Sequence, residues 1–62
     1  MKKGQIKIHK LTKTSLLIVK VYGSSVAKCF VLDNQGNKIE DGVDGLGNTM
    51  YKIAICQAKY LV

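Results

Sequence analysis

The residues with reactive side chains are few and lie far apart along this chain. The only cysteines are Cys29 and Cys56, and the only histidine is His9. A zinc site needs several Cys or His ligands at close spacing, and a nucleophilic site needs a base beside the nucleophile. His9 alternates with Ile6 and Ile8, which predicts a side chain turned to solvent without a catalytic partner. The sequence therefore predicts a protein that is not an enzyme and that uses no metal and no cofactor.

Cys29 and Cys56 have two interpretations. As free thiols they would pack like small apolar side chains inside a core, and we favour this interpretation. As a disulfide they would close a loop worth roughly 3.5 kcal/mol by the chain-entropy argument. Such a bridge would matter in a domain of only 62 residues.

The acidic residues all lie in one short segment. Asp33, Glu40, Asp41 and Asp44 are the only carboxylate side chains, and glycine and asparagine surround them. The alternating oxygen ligands and the closing glutamate of an EF-hand loop are absent. The segment therefore predicts turns and an exposed loop over residues 41–48 in preference to a calcium site.

Lysine dominates the charge of the chain. Ten lysines, no arginine and four acidic residues give a formal net charge of +6. Lysines can neutralise a phosphate backbone, but arginine is the usual reader of guanine edges and phosphate forks. Nucleic acid is therefore the alternative partner, contacted through lysines of the N-terminal half: Lys7, Lys10, Lys13, Lys20 and Lys28.

The elements that must position these residues are β-strands. Alternating and β-branched apolar residues indicate strands over 5–9, 16–22 and 26–32, separated by turn residues. Residues 33–37 fit a type I turn followed by a left-handed glycine, and a return strand begins at 38–40. We predict an all-β single domain over 1–62, a small antiparallel meander or half-sandwich of four to six strands. The alternative is an α+β fold in which residues 49–62 form a C-terminal helix on the sheet.

The hairpin around Ser24 predicts the most about function. A turn centred there leaves both faces apolar, except for Lys20 opposite Lys28. The predicted pairs are Tyr22/Val26, Ile18/Phe30 and Leu16/Leu32 on one face and Val21/Ala27, Val19/Cys29 and Leu17/Val31 on the other.

A sheet that is apolar on both faces needs cover on both, and a chain this short buries only about 60% of its unfolded surface. We therefore expect a non-enzymatic interaction or structural module. It would form a homo-oligomer or bind a protein partner through exposed apolar sheet surface. The residues predicted to form that surface are Leu16, Ile18, Tyr22 and Phe30. The longest apolar run spans only residues 16–19, so we expect no membrane segment and a cytoplasmic location.

The order of motifs over residues 18–62 resembles a prealbumin-like β-sandwich repeat of surface adhesins. The matching motifs are Val19-Lys20-Val21-Tyr22, the segment 31–39, Gly47-Asn48, the alternation from Tyr51 to Ile55, and Tyr60-x-Val62. The resemblance implies a β-sandwich. Such repeats place proline in their loops, and some carry a Lys–Asn isopeptide bond. This chain has no proline and no suitably placed asparagine near its end, so no crosslink is carried over.

Overall fold

The computed structural model describes all of residues 1–62 and contains six antiparallel strands. Four of them form one sheet in the order β1-β2-β3-β6, and β4 and β5 form a separate two-stranded hairpin. The predicted small all-β fold is confirmed. The strands are β1 (Ile6–Ile8), β2 (Ser15–Tyr22), β3 (Val26–Val31), β4 (Glu40–Val43), β5 (Thr49–Tyr51) and β6 (Ile53–Gln57).

The alternative of a C-terminal helix over residues 49–62 is wrong. These residues form β5, β6 and a single turn of 3-10 helix, Ala58–Tyr60. Residues 53–57 form a strand because β3 supplies a backbone partner for each of them, from Val26 opposite Gln57 to Phe30 opposite Ile53.

A bulge at Val19 changes the register of the β2–β3 hairpin. The pairs nearest the turn, Tyr22/Val26, Val21/Ala27 and Lys20/Lys28, are those predicted for a turn at Ser24. Beyond Val19 the register shifts by one residue, as expected when a bulge leaves one residue unpaired. The predicted pairs Ile18/Phe30, Leu16/Leu32, Val19/Cys29 and Leu17/Val31 are therefore wrong. The observed pairs are Ile18/Cys29, Leu17/Phe30 and Leu16/Val31.

The bulge decides which side chains form the core. Side chains alternate between the faces of a strand, and the extra residue lets both Ile18 and Val21 point to the same side. We call this side the inner face. Its buried cluster consists of Leu16, Ile18, Ala27, Cys29 and Cys56, with Val21, Val31, Ala54 and Leu61 packed against it.

The C-terminal residues close the sheet against β1. The backbones of Ile8 and Val62 exchange two hydrogen bonds of 3.0 Å, and the Lys10 amide donates to the Tyr60 carbonyl at 2.7 Å. The His9 ring stacks on the Tyr60 ring, with centroids 5.5 Å apart and planes 14° apart. Both edges of β1 are therefore paired, one with β2 and one with the chain end.

The orientation predicted for β1 is wrong. Ile6 and Ile8 are 61% and 44% exposed, whereas Lys7 and His9 are half-buried. Alternation shows that β1 has two different faces, but it does not show which face points to solvent. The pairing of Ile6 with Leu17 decides this, because Leu17 lies on the face of β2 that points away from the core.

Two turns of the chain have the same construction. In each, an aspartate carboxylate accepts hydrogen bonds from the amides two and four residues later. Asp33 binds Gln35 and Asn37, and Asp44 binds Leu46 and Asn48, all at 2.9–3.0 Å. Gly36 and Gly47 follow with φ of 83° and 84°, a region that glycine enters without steric cost.

The turn predicted at 33–37 is thus confirmed, including its left-handed glycine. The exposed loop predicted over 41–48 needs correction. Residues 40–43 form β4, and only Asp44–Asn48 form the turn. All of these residues are exposed, as predicted.

Candidate association surface

The face of the four-stranded sheet that points away from the core carries an apolar row. We call it the outer face. The register pairs Ile6 with Leu17, Leu17 with Phe30, and Phe30 with Ile53, and directly opposed residues share a face. Ile6 is 61% and Ile53 49% exposed, while Leu17 and Phe30 are half-buried. An apolar row therefore crosses all four strands, exposed at its ends, Ile6 and Ile53, and half-buried between them.

Lysines and aromatic rings flank this row. Phe30 meets Tyr51 edge to face, with ring centroids 5.9 Å apart, and the Lys38 ammonium lies 4.6 Å from the Phe30 centroid and 5.2 Å from that of Tyr51. The next row consists of Lys20, Lys28 and Ile55, which is 60% exposed. The outer face therefore combines apolar area with positive charge.

One edge of the four-stranded sheet is free, and it belongs to β6. β6 pairs only with β3. The amide of Ala58 donates to the carbonyl of Ser25, and the amide of Val31 donates to the carbonyl of Lys52. Because hydrogen-bonded pairs occur at every second position of an antiparallel ladder, these two bonds show which residues of β6 point their backbone groups toward β3. Ala54 and Cys56 accordingly direct their backbone groups to β3. The backbone groups of Ile53, Ile55 and Gln57 point outward, where no other strand lies.

The four residues predicted to form an interface are divided between the two faces. Leu16 and Ile18 are 2% and 0% exposed and belong to the core. Tyr22, which is 43% exposed, and the half-buried Phe30 lie on the outer face. The division is a direct result of the bulge at Val19, because the bulge makes Cys29, and not Phe30, the cross-strand partner of Ile18.

The sequence prediction omitted the residues that complete the outer face. They are Ile6 and Leu17, which depend on the register of β1, and Ile53 and Ile55, which depend on the order of β3 and β6. The alternation of Tyr51, Ile53 and Ile55 indicates a common face, but only the structure shows that Ile53 and Ile55 stay exposed there, at 49% and 60%.

The five lysines of the nucleic-acid alternative do not form one patch. Lys20 and Lys28 are direct cross-strand partners on the outer face. Lys7 lies opposite the core residue Leu16 and is half-buried, and Lys10 and Lys13 lie in the turn between β1 and β2. Lys38, which the sequence prediction did not include, lies on the outer face over Phe30.

Cys29 and Cys56 are both buried free thiols on the inner face. They are diagonal neighbours, because Cys29 lies opposite Ala54 and Ala27 lies opposite Cys56. Burial raises the pKa of the Cys29 thiol, and the neighbouring Cys56 raises it further. Burial also raises the pKa of Cys56, although a hydrogen bond from Cys29 partly offsets this rise. Neither thiol is activated, since the nucleophile is the thiolate.

His9 and Cys56 both line an open cleft of about 290 Å³ together with Thr12 and Lys52. The His9 Nδ1 atom accepts hydrogen bonds from the amides of Leu11 and Thr12, at 3.2 and 3.4 Å. The Nδ1 atom of His9 therefore takes part in a turn, and the imidazole ring stacks on Tyr60. With the Cys56 thiol protonated, the cleft offers no pair of base and nucleophile.

The structure has no helix of the length and apolarity that crossing a bilayer requires. No protein-family model, curated protein or solved structure matches the chain. The resemblance to prealbumin-like repeats thus gains no support from related proteins, and any proposal about function depends on the outer face and the β6 edge.

Proposed function

We propose that this protein is a non-enzymatic association module that binds a protein, either another copy of itself or a different chain, through the outer face. The observation that carries the proposal is the apolar row of Ile6, Leu17, Phe30 and Ile53, which is exposed at both ends. Large exposed apolar patches on small proteins mark interaction sites. The row lies on four paired strands rather than in a loop, so the strand register sets the spacing of its side chains.

The total surface of the chain supports this proposal. The accessible area is 4475 Å², whereas a compact monomer of this mass exposes about 3,950 Å². Only six residues are buried, and eleven large apolar side chains are exposed. The chain thus exposes about 500 Å² more than its mass predicts, and it exposes apolar side chains that an interface would cover.

Sedimentation at two protein concentrations tests the proposal. The wild-type chain should change from smaller to larger species between micromolar and millimolar concentration. Ile53→Lys should weaken that association, because it places a charge on the apolar row. Leu46→Lys is the matched control, since Leu46 is 89% exposed at the tip of the β4–β5 hairpin. A well-folded chain that remains monomeric and binds no protein would contradict the proposal.

Nucleic acid remains a second candidate because of one arrangement on the outer face. Lys20 and Lys38 lie over the rings of Tyr22, Phe30 and Tyr51 at 4.6–5.3 Å. Sheet faces that bind single strands combine aromatic platforms for bases with cations for phosphates.

A salt series with single-stranded DNA and RNA tests this candidate. Affinity should fall linearly with salt on logarithmic axes. Lys38→Gln should reduce binding more than Lys3→Gln, which removes the same charge outside the sheet. Absence of binding at about 50 mM salt, where phosphate contacts are strong, would eliminate the candidate.

A further inference from the structure

The β6 edge can be completed by the β6 edge of a second copy. We propose that two chains form a symmetric dimer in which their β6 strands pair antiparallel, with Ile55 of one chain opposite Ile55 of the other. This inference rests on the proposed association function and deepens it by naming the partner and the contact. The dimer would join the two four-stranded sheets into one continuous sheet.

The outward backbone groups of β6 match their own symmetry copies. In an antiparallel pair, opposed residues exchange hydrogen bonds at every second position. On β6 the positions with outward groups are Ile53, Ile55 and Gln57. Centring the two-fold axis on Ile55 makes Ile55 bond to its own copy and Ile53 bond to Gln57 of the other chain. Every outward amide and carbonyl of the strand then has a partner, which is the self-complementarity that a two-fold interface requires.

β6 also lacks the features that keep edge strands apart. Natural edge strands are protected by lysine, proline or inward-pointing charges, but Ile53–Gln57 contains no charged residue and no proline. The rest of the chain carries the net charge of +6. β6 is therefore an edge at which two positively charged copies can meet without placing lysines directly opposite each other.

The excess surface of the whole chain is of the size that a modest dimer needs to bury. A specific interface should bury about 1,000 Å² in total, and two copies together expose about that much beyond the area expected of compact monomers. Ile53 and Ile55, at 49% and 60% exposure, lie beside the edge on the outer face. Both side chains would pack against the second copy while the backbones pair.

Amide hydrogen exchange of the wild-type chain, measured by NMR at low micromolar and at millimolar concentration, tests the dimer. The amides of Ile53, Ile55 and Gln57 should exchange freely in the dilute sample and become protected in the concentrated one. The amides of Ala54 and Cys56 are the internal control, because their bonds to β3 protect them at both concentrations. Sedimentation of the same samples reports whether the chain associates at all.

The outcomes separate this inference from the proposed function. Association together with protection of the three amides supports both. Association, or binding to a different protein, without protection of these amides overturns the β6 dimer and leaves the proposed function standing. A chain that stays monomeric at millimolar concentration overturns the dimer, and it refutes the proposed function as well if the chain also binds no other protein.

A substitution that removes one outward amide provides a second test. Ile55→Pro deletes an N–H that β3 does not use, and proline is tolerated on edge strands when that N–H faces solvent. The dimer would lose the two bonds between the Ile55 residues and should dissociate about 30-fold more readily. Ile55→Thr is the matched control, since it retains the amide and the β-branched shape.

Proline at 55 could disturb β6 itself, so a chain of 62 residues made by chemical synthesis with an N-methylated Ile55 serves as an independent variant. It removes the same donor and keeps the side chain. Protected amides in β2 and β3 verify that each variant is folded. Undiminished dimerisation of the folded N-methyl chain would overturn the inference.

Discussion

Lys20 on β2 and Lys28 on β3 lie directly opposite each other on the outer face. The Lys20 ammonium also lies 5.3 Å from the centroid of the Tyr22 ring, whereas none of the four lysine–ring contacts involves Lys28. Like charges in a direct cross-strand pair are destabilising. The pair therefore keeps positive charge on the outer face at a cost in stability.

Replacing Lys28 by glutamate should stabilise the fold. The change converts a repulsive cross-strand pair into an attractive one, and we expect a gain of about 0.5–1 kcal/mol in the free energy of unfolding. Urea titration at low salt measures it. Lys3→Glu, which alters the net charge equally outside the sheet, is the control. The gain relative to that control should shrink in about 0.5 M salt, and equal stability of the two variants at low salt would contradict the prediction.

Shortening the side chain of Ile18 to valine should destabilise the fold far more than shortening an exposed side chain. Ile18 is completely buried in the core, and Ile→Val in such a position costs about 0.5–1.5 kcal/mol. In a domain this small, that loss lowers the melting temperature by several degrees, about 4–8 °C per kcal/mol.

Thermal unfolding below the association concentration measures this effect. Val43→Ala is the control, because Val43 is 64% exposed on β4. A larger effect at Val43 than at Ile18 would mean that the inner face is not the core of the fold.

The buried thiols should make stability fall at alkaline pH. The pKa of both Cys29 and Cys56 is raised by burial in the folded chain, so the folded state holds these protons more tightly than the unfolded state. Their contribution is complete below the unfolded pKa of about 8.5 and is lost as pH rises through the folded pKa.

Urea titrations between pH 7 and 10 test this dependence. The Cys29→Ala/Cys56→Ala variant loses the thiols, and its stability should fall less steeply above about pH 8.5. Alkylation of the wild-type thiols should also accelerate when urea opens the core. Rapid alkylation of the native chain at pH 7 would show that the thiols are accessible.

The stability of the β4–β5 hairpin should fall at acid pH, when the Asp44 carboxylate is protonated. Hydrogen bonds from the amides of Asn48 and Leu46 hold the pKa of its carboxylate below the ordinary value. The lowered pKa means that the stabilisation is present above the unfolded pKa of about 3.9 and is lost as pH falls through the folded pKa.

Asp44→Ala removes the carboxylate altogether, so amide exchange in this variant at neutral pH measures how much the hairpin depends on it. The amides of Leu46 and Asn48 should lose protection, whereas those of Ala27 and Cys29 should not, because the hairpin is a separate sheet. Parallel loss of protection throughout the chain would show that the hairpin and the four-stranded sheet unfold together.

The sequence was sufficient for local features and insufficient for those that depend on register. The turn at 33–37 was predictable because Asp33 and Gly36 have strong local preferences. The same Asp-x-x-Gly-Asn pattern recurs at 44–48, so the second hairpin turn could have been found by comparing the two segments.

The bulge at Val19 could not be found in this way. The apolar run around Val19 contains no glycine or polar residue before Lys20 to mark an irregularity. Its effect is visible only in the packing, because it brings Val21 to the face on which Ile18 is buried. The outer face was hard to predict for the same reason. Tyr22 and Phe30 were assigned to it from the sequence, but its other apolar residues can be identified only from the register and the strand order.

The pairing of His9 with Leu61 joins residues separated by nearly the whole chain. Loop-closure entropy opposes such a contact until the intervening strands are in place, and folding slows as contacts become more distant in sequence. β2 and β3, joined by a tight turn, can form early, whereas β1 gains its second neighbour only when the last residues arrive. During synthesis the hairpin around Ser24 would emerge before residues 60–62, and β1 would gain its second neighbour only after those residues have left the ribosome.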